Sequence, residues 1–447
     1  MKEIFNKENT RGFENKAHLF KIISSTALIC LFALIGLLFF FRPDTSESEN
    51  RKLTEFPKFT WSSFISGEYF SQVSLWYSDT YPLREGMISA NKDIQSLYGP
   101  QPHEIIIPPS TPGGEVENGG NVDKFGSIYL QKDTNTAFEI FFSSPEKTSN
   151  YISLINRAAD SLSGKANVYS MVVPLHYTYR LTDEQISSLG ASDCVEVIDS
   201  IYDALDDSIN TIDVHSKLWE HRDEYIYFRT DHHWTARGAY YAYLAFCEQK
   251  GISPSSLEDY ERLVYEGFLG TYYAASKDSS ILSDKPDYVE AFIPNGQNKI
   301  DVISYNRDSK SYYKDWFYVT SENGDKYGTG LKYNCFIGGD NPVGVIHNES
   351  INDNSSIVVI KESYGNAFIP FLVDSYEYLY VIDYRYYTAD CIAQAKQNGL
   401  DTALGITLEE NLDDFVRANN ISDVLFLNYI TTTSTQTKID QLSEFIG

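Results

Sequence analysis

The sequence predicts an α/β protein built on a mostly parallel sheet that is covered on both faces. Three observations predict it. Uninterrupted apolar runs recur at Ile357–Ile360, Leu379–Ile382 and Val424–Leu427, and such runs suit strands with no solvent-facing side. A valine-rich run, Val168–Val173, is closed by Pro174, which cannot extend a strand ladder. Segments with helical spacing alternate with these runs, as crossover helices between parallel strands do.

Taken in order, residues 1–21 carry Lys2, Lys7, Arg11, Lys16 and Lys21 ahead of 20 uncharged residues, Ile22–Phe41. At 1.5 Å rise per residue that run matches a hydrocarbon core about 30 Å thick. The basic flank keeps the N-terminus cytoplasmic. A cleaved signal peptide is the rival reading, but the run is longer than its apolar region, and Phe-Phe-Phe-Arg-Pro follows instead of a small-residue cleavage site. The expectation is an uncleaved signal-anchor: a single transmembrane helix over 22–41 in the cell membrane, with everything after Arg42 extracellular.

Residues 42–121 form a juxtamembrane segment and linker. Thr60–Tyr98 mixes aromatic and polar residues at near-helical spacing and predicts one or two helices. Gln101–Asn121 holds four Pro and four Gly and predicts a loop. The main domain then spans 122–447. Ser127–Leu130 reads as a short strand, Asn150–Leu162 as a helix, and Tyr225–Phe228 as a strand entering a turn. Thr235 is placed to cap a helix running to about Cys247. Tyr260–Cys335, rich in Tyr, Gly, Asn and Asp, predicts an inserted β and loop region outside the sheet core.

Composition excludes some functions. The formal net charge is -26, from 36 basic and 62 acidic residues, so no field draws nucleic acid to this chain. Hydrophobic residues at 42% exclude a disordered protein. The 34 Tyr, 26 Phe and five Trp suit sugar recognition and equally suit the filling of half-buried sheets. Cys30 lies in the apolar run. Cys194, Cys247, Cys335 and Cys391 form no CxxC pair, which argues against a zinc knuckle or redox motif. Spacing does not decide whether any two form a disulfide, and four buried free thiols are the plainer expectation.

Two clusters can carry chemistry: Arg229-Thr230-Asp231-His232-His233-Trp234-Thr235, and Lys361-Glu362-Ser363-Tyr364-Gly365-Asn366. A serine hydroxyl is a weak nucleophile until an imidazole can take its proton. That imidazole works best when a carboxylate fixes its tautomer. An Asp two residues before a His can do so within one turn. Ser363 follows a buried strand, at the end of a parallel sheet where ligands collect, and the next helix start can offer N–H groups to an oxyanion. Each feature has a plainer reading. Serine between strand and helix is commonly a cap, His232 and His233 can be metal ligands although no third ligand stands at a recognisable spacing, and Trp234 with the tyrosines after it can be packing.

The Thr230–Gly238 segment and the aromatic helix after it resemble the signature of the bacterial DHHW proteins. These are similar to alginate O-acetyltransferases of the AlgX and AlgJ type, with an SGNH-hydrolase-like, three-layer α/β/α fold. Further segments fit: Ser48-Glu49-Asn50-Arg51, Phe336–Asn341, Ser363–Asn366 with Pro370-Phe371, and Val381–Tyr387. The resemblance implies that Asp231 orients His233 and that His233 activates Ser363, with His232 and Trp234 as supporting neighbours. It makes Gly339 and Asn341 oxyanion-hole candidates, and Arg385 and Tyr364 substrate-contact candidates. Where many SGNH proteins have Gly-Asp-Ser, this chain has Lys361-Glu362-Ser363.

The activity implied is O-acetylation of a cell-surface or cell-wall polysaccharide, with no metal or cofactor. A membrane-bound O-acyltransferase is the implied partner, because a cytosolic acetyl donor does not reach the outer face. An acetylesterase with the same residues and a non-catalytic glycan-binding scaffold are the alternatives.

Overall fold

The computed structural model describes residue 26 and residues 42–43, 45–46, 51–84, 86–87, 104–107, 127–276 and 279–447. The expected signal-anchor therefore falls almost wholly outside the described residues. Among the described residues no helix is long and apolar enough to cross a membrane.

Two compact units divide the chain: residues 1–101 with 115–119, and residues 102–114 with 120–447. In the first, the near-helical spacing after Thr60 becomes two short helices, α1 (Trp61–Ser66) and α2 (Glu68–Asp79). Thr60 caps α1 by accepting from the Ser63 N–H at 3.2 Å. Gly67, at φ +83°, turns the chain between them, a conformation that an L side chain resists.

The second unit opens with a three-stranded antiparallel sheet of β1 (Glu104–Ile107), β2 (Ile128–Gln131) and β3 (Thr136–Glu139). β1 lies inside the stretch read as a loop. Then come α3 (Pro145–Leu162), β4 (Asn167–Val173), α4 (Cys194–Ala204), β5 (Ile209–Thr211), α5 (Val214–Glu220) and α6 (Ala236–Lys250). The middle of the chain holds β6 (Glu261–Phe268), α7 (Thr271–Ala275), β7 (Asp287–Ile293), β8 (Ile300–Asn306) and β9 (Ser311–Phe317). The C-terminal part holds β10 (Val343–His347), β11 (Ser356–Lys361), α8 (Gly365–Leu372), β12 (Tyr378–Asp383), β13 (Asp423–Tyr429) and α9 (Gln436–Ile446).

Eight strands form the large sheet in the order β9-β8-β10-β12-β11-β13-β4-β5. The five from β12 to β5 pair in parallel, and β10, β8 and β9 add antiparallel at one edge. The sheet is therefore mixed: the parallel pairings that were expected make up its larger part, and an antiparallel edge that was not expected joins them. The reason lies in the stretch read as peripheral. Val302 and Ile303 of β8 are wholly buried, so that hairpin joins the sheet core, while β6 and β7 form a separate two-stranded ribbon. Tyr225–Phe228 is not a strand. Tyr227 makes one isolated bridge to Trp234, across the loop between them.

Every residue of β11 and β13 is buried, which requires cover on both faces. Helices supply it in two sets, α3 packing with α9, and α6 with α5 and α8. Thr235 caps α6 as expected, accepting from the Gly238 N–H at 3.3 Å. Cys194, Cys247, Cys335 and Cys391 are buried and free, the plainer of the two readings their spacing left open.

Candidate active site

The loop before α6 is fixed from the insertion side. Asp287 at the start of β7 accepts from the N–H groups of Arg229 and Thr230, at 2.9 and 2.7 Å, and from the Thr230 hydroxyl at 2.8 Å. The Arg229 guanidinium lies 3.0 Å from the same carboxylate. Burial pushes the Asp287 carboxyl above its ordinary value, an effect that Arg229 opposes.

Asp231 and His233 leave this loop side by side. Asp231 Oδ1 accepts from His233 Nδ1 at 2.6 Å and from the His233 backbone N–H at 3.0 Å. Its Oδ2 accepts from the Thr271 N–H at 2.8 Å and the Thr271 hydroxyl at 2.9 Å. Burial alone would raise this carboxyl. The charges of His233 and His232, with the hydrogen bonds from His233 and the Thr271 N–H, hold it well below the usual carboxylate range instead. A carboxylate on Nδ1 keeps the proton there and leaves Nε2 as an acceptor. His233 Nε2 lies 2.7 Å from Ser363 Oγ, across 130 residues of sequence.

This geometry can move a proton from the hydroxyl to the imidazole while the carboxylate steadies the imidazolium that forms. Ser363 stands between β11 and α8 and keeps 7% of its surface exposed. It does not cap α8, whose cap position is Tyr364 with no side-chain cap bond.

Aromatic residues frame the pair. The Tyr333 ring stacks on His233 with centroids 4.0 Å apart and planes 10° apart, and its hydroxyl donates to the Ser363 carbonyl at 3.1 Å. Trp234 Nε1 donates to the Tyr364 carbonyl at 2.9 Å, and the Tyr364 hydroxyl donates to the His232 carbonyl. The two motif segments are thus laced together by main-chain acceptors. His232 Nδ1 lies 2.8 Å from Thr271 Oγ1; because that hydroxyl donates to Asp231, the His232 ring steadies the group that holds the carboxylate.

Donor atoms of Asp231, His232 and His233 fall within 4.8 Å of one another. Those of Asp231 and His233 face each other, and Thr271 takes His232 Nδ1, so the set is already committed to internal hydrogen bonds.

Glu362 is fully buried. It accepts from the Tyr429 N–H at 2.6 Å and from Asn428 Nδ2 at 2.7 Å, tying the end of β11 to the end of β13. Burial pushes its carboxyl above the ordinary value.

The Phe336–Asn341 turn approaches from the β9 side. The Gly339 N–H donates to the Phe336 carbonyl at 3.1 Å, and Asn341 Oδ1 accepts from the Ser304 hydroxyl at 2.7 Å. The residue this turn hands to the charged groups near Ser363 is Asp340. Of the two residues expected to contact substrate, Tyr364 is wholly buried, and Arg385 is buried with its guanidinium on Asp383 and Asp340.

Asp231, His233 and Ser363 are thus brought together. Thr271, Asp287, Tyr333 and Asp340 are also there, and sequence reasoning passed over all four. The first three come from the stretch read as peripheral. The fourth lay within a motif in which attention fell on the glycines.

A sequence model of the family described as DHHW protein matches residues 49–116 and 101–382. The structure is similar to that of a DHHW family protein from Eubacterium siraeum, with TM-score 0.58 and 25% identity over 72% of this chain and 96% of that one. It is also similar to Bacillus cereus PatB1 carrying a sulfonyl adduct, with TM-score 0.54 and 16% identity over 71% and 98%. A weaker match, TM-score 0.36 and 14% identity over 71% and 98%, is to the O-acetyltransferase domain of Pseudomonas putida AlgJ. No curated protein matches the chain by sequence.

Proposed function

The chain belongs to the DHHW protein family, and on that premise we propose that it is an O-acyltransferase that passes an acetyl group through Ser363 to a hydroxyl of a cell-surface polysaccharide. The observation that carries this reading is the continuous hydrogen-bond chain from Asp231 through His233 to Ser363, at 2.6 and 2.7 Å.

Ser363 Oγ attacks the carbonyl carbon of an activated acetyl donor as its proton passes to His233 Nε2. The bond to the leaving group breaks, and that group departs with the proton. A sugar hydroxyl then attacks the acetyl-serine ester as its proton goes to His233 Nε2; the bond from the acyl carbon to Ser363 Oγ breaks, and His233 returns the proton to that oxygen. The narrow exposure of Ser363 suits a short acyl chain. It also limits the access of water, which competes with the sugar for the same ester.

The proposal extends to placement. The run 22–41 anchors the chain with its main domain extracellular, and a membrane-bound O-acyltransferase presents the acetyl donor there.

The test uses the purified chain, an aryl acetate as donor and an oligosaccharide acceptor, followed by mass spectrometry of the sugar. Acetylated sugar from wild type and none from Ser363→Ala is the expected result. Acetate release that the acceptor leaves unchanged, with no acetylated sugar, would show hydrolysis instead. An intact chain inert to the donor would leave a glycan-binding scaffold.

A further inference from the structure

Acyl transfer at Ser363 leaves a buried ionic cluster without a part to play. Lys361, the last residue of β11, is wholly buried. Its ammonium donates to Asn366 Oδ1 at 2.7 Å and to Asp383 Oδ2 at 3.1 Å, and lies 3.5 Å from Asp340 Oδ1. Arg385 donates through Nε to Asp383 Oδ1 at 2.9 Å. Its Nη2 donates to Asp383 Oδ2 at 2.7 Å and to Asp340 Oδ2 at 2.8 Å. Asn366 Nδ2 completes the set, donating to Asp340 Oδ1 at 2.9 Å. Two cations and two carboxylates are balanced, yet a well-packed apolar group of the same shape is often at least as stable. Stability alone therefore does not account for the cluster.

Asp340 reaches it by a strained route. Ile337, Gly338 and Gly339 have successive φ values of +49°, +74° and +90°. For a β-branched residue such as Ile337 that is an outlier, and backbone outliers of this kind gather at functional sites. At Gly338 a β carbon would stand 2.4 Å from the Phe317 ring, so the close approach of this turn depends on glycine.

The position Asp340 gains is specific. It meets Lys361, two residues before Ser363, and Asn366, three residues after it. Gly365 makes room for the Lys361 stem beneath the turn, where a β carbon would lie 2.7 Å from Lys361 Cβ.

We propose that Asp340 is a positioning residue that grips the chain on both sides of Ser363 and keeps the hydroxyl aligned with His233. The proposal rests on the acyl-transfer reading of Ser363 and adds a residue that touches neither donor nor acceptor. A carboxylate is required: one oxygen accepts from the Asn366 amide and faces the Lys361 ammonium while the other accepts from a guanidinium. Asparagine would turn an NH₂ group toward one of those donors.

The test uses the full chain with Asp340→Asn, and with Asn366→Ala, which releases the same grip without removing a charge. Three readouts are compared with wild type: amide hydrogen exchange across residues 363–368, the rate at which an aryl sulfonyl fluoride labels Ser363, and kcat against KM for an aryl acetate. Either variant should exchange at least about tenfold faster at the Gly365, Asn366 and Ala367 amides, with β13 unchanged. Labelling and kcat should fall at least about tenfold, with KM within about threefold, since displacement of a reacting group by an ångström costs on the order of a hundredfold.

Wild-type exchange and labelling in both variants would overturn the proposal. So would exchange that rises equally in β13, because the effect would then be general loosening. Exchange involves no reaction: if wild-type Ser363 takes no label while exchange responds as described, the grip stands and the acyl-transfer reading fails.

Discussion

Gly270 lies so close to Asp231 that a β carbon added to it would stand 2.3 Å from both Cβ and Oδ2 of the aspartate. The carboxylate that orients His233 is thus walled in by main chain as well as held by hydrogen bonds. Only a residue without a side chain lets α7 begin there and bring the Thr271 N–H to Oδ2.

Gly270→Ala tests this wall without altering any polar group of the site. The new methyl displaces Asp231, and kcat for an aryl acetate should fall by roughly a hundredfold, the scale of a one-ångström misplacement. Steady-state kinetics beside a melting curve reads the effect. A kcat within about twofold of wild type would mean that the carboxylate tolerates the shift.

Ser363→Ala and Asp231→Asn should differ in kind. The first removes the proposed nucleophile, and sulfonyl labelling of the protein should vanish with the activity. The second keeps the shape of the site but lets His233 adopt the other tautomer, and a loss of about 10⁴-fold in kcat is expected with the labelled serine unchanged in identity. Peptide mapping of the labelled protein separates the two.

Glu362→Ala should act on stability. It strips partners from the buried Tyr429 N–H and the Asn428 amide, at roughly 1–3 kcal/mol for each group left unsatisfied. Chemical denaturation measures the loss. A change under about 1 kcal/mol would show that the junction between β11 and β13 does not depend on this carboxylate.

Acid should expose the paired carboxylates. Asp231 and Asp340 are both held below the ordinary value of 3.8: burial would raise them, but His233 and His232 outweigh it at Asp231, and Arg385 and Lys361 at Asp340. A carboxyl depressed in the folded state contributes stability that is present above its unfolded value and lost as pH falls through the folded one. The Tm should therefore decline below pH 3.8, more shallowly in Asp340→Asn than in wild type. Glu362 and Asp287, raised by burial, act in the opposite sense and at higher pH: they add stability as pH falls toward their unfolded values of 4.5 and 3.8, and below those they leave the slope unchanged. Equal slopes in the two proteins would refute the assignment to Asp340.

Much of the scaffold could be read from residues alone. The runs at Val168, Ile357, Leu379 and Val424 became β4, β11, β12 and β13 because a strand buried on both faces has no place for polar alternation. Thr235 announced α6 because an N-cap favours a short side chain whose oxygen can accept from the first turn. The place of β8 in the large sheet was missed: Ile300–Asn306 sits among Tyr, Asn and Asp, and only its first half pairs with β10, so its far end is polar and exposed. The Asp231–His233–Ser363 grouping was legible through motif resemblance, since no local pattern fixes a contact across 130 residues. Thr271 and Tyr333 could not be found that way. Their importance comes from where the ribbon of β6 and β7 and the turn before Phe336 place them, and threonine and tyrosine carry no spacing signal of their own.

The origin of these parts has a consequence for biogenesis. The loop bearing Asp231 and His233 emerges early, the hydroxyl of Ser363 much later, and Thr271, Asp287, Tyr333 and Asp340 in between. A chain not yet made past Phe336 lacks the group His233 faces, because Ser363 stands 130 residues beyond the imidazole it meets at 2.7 Å. The hydrogen-bonded chain from Asp231 to Ser363 therefore closes only when β11 has docked, and whatever chemistry it supports belongs to the finished fold.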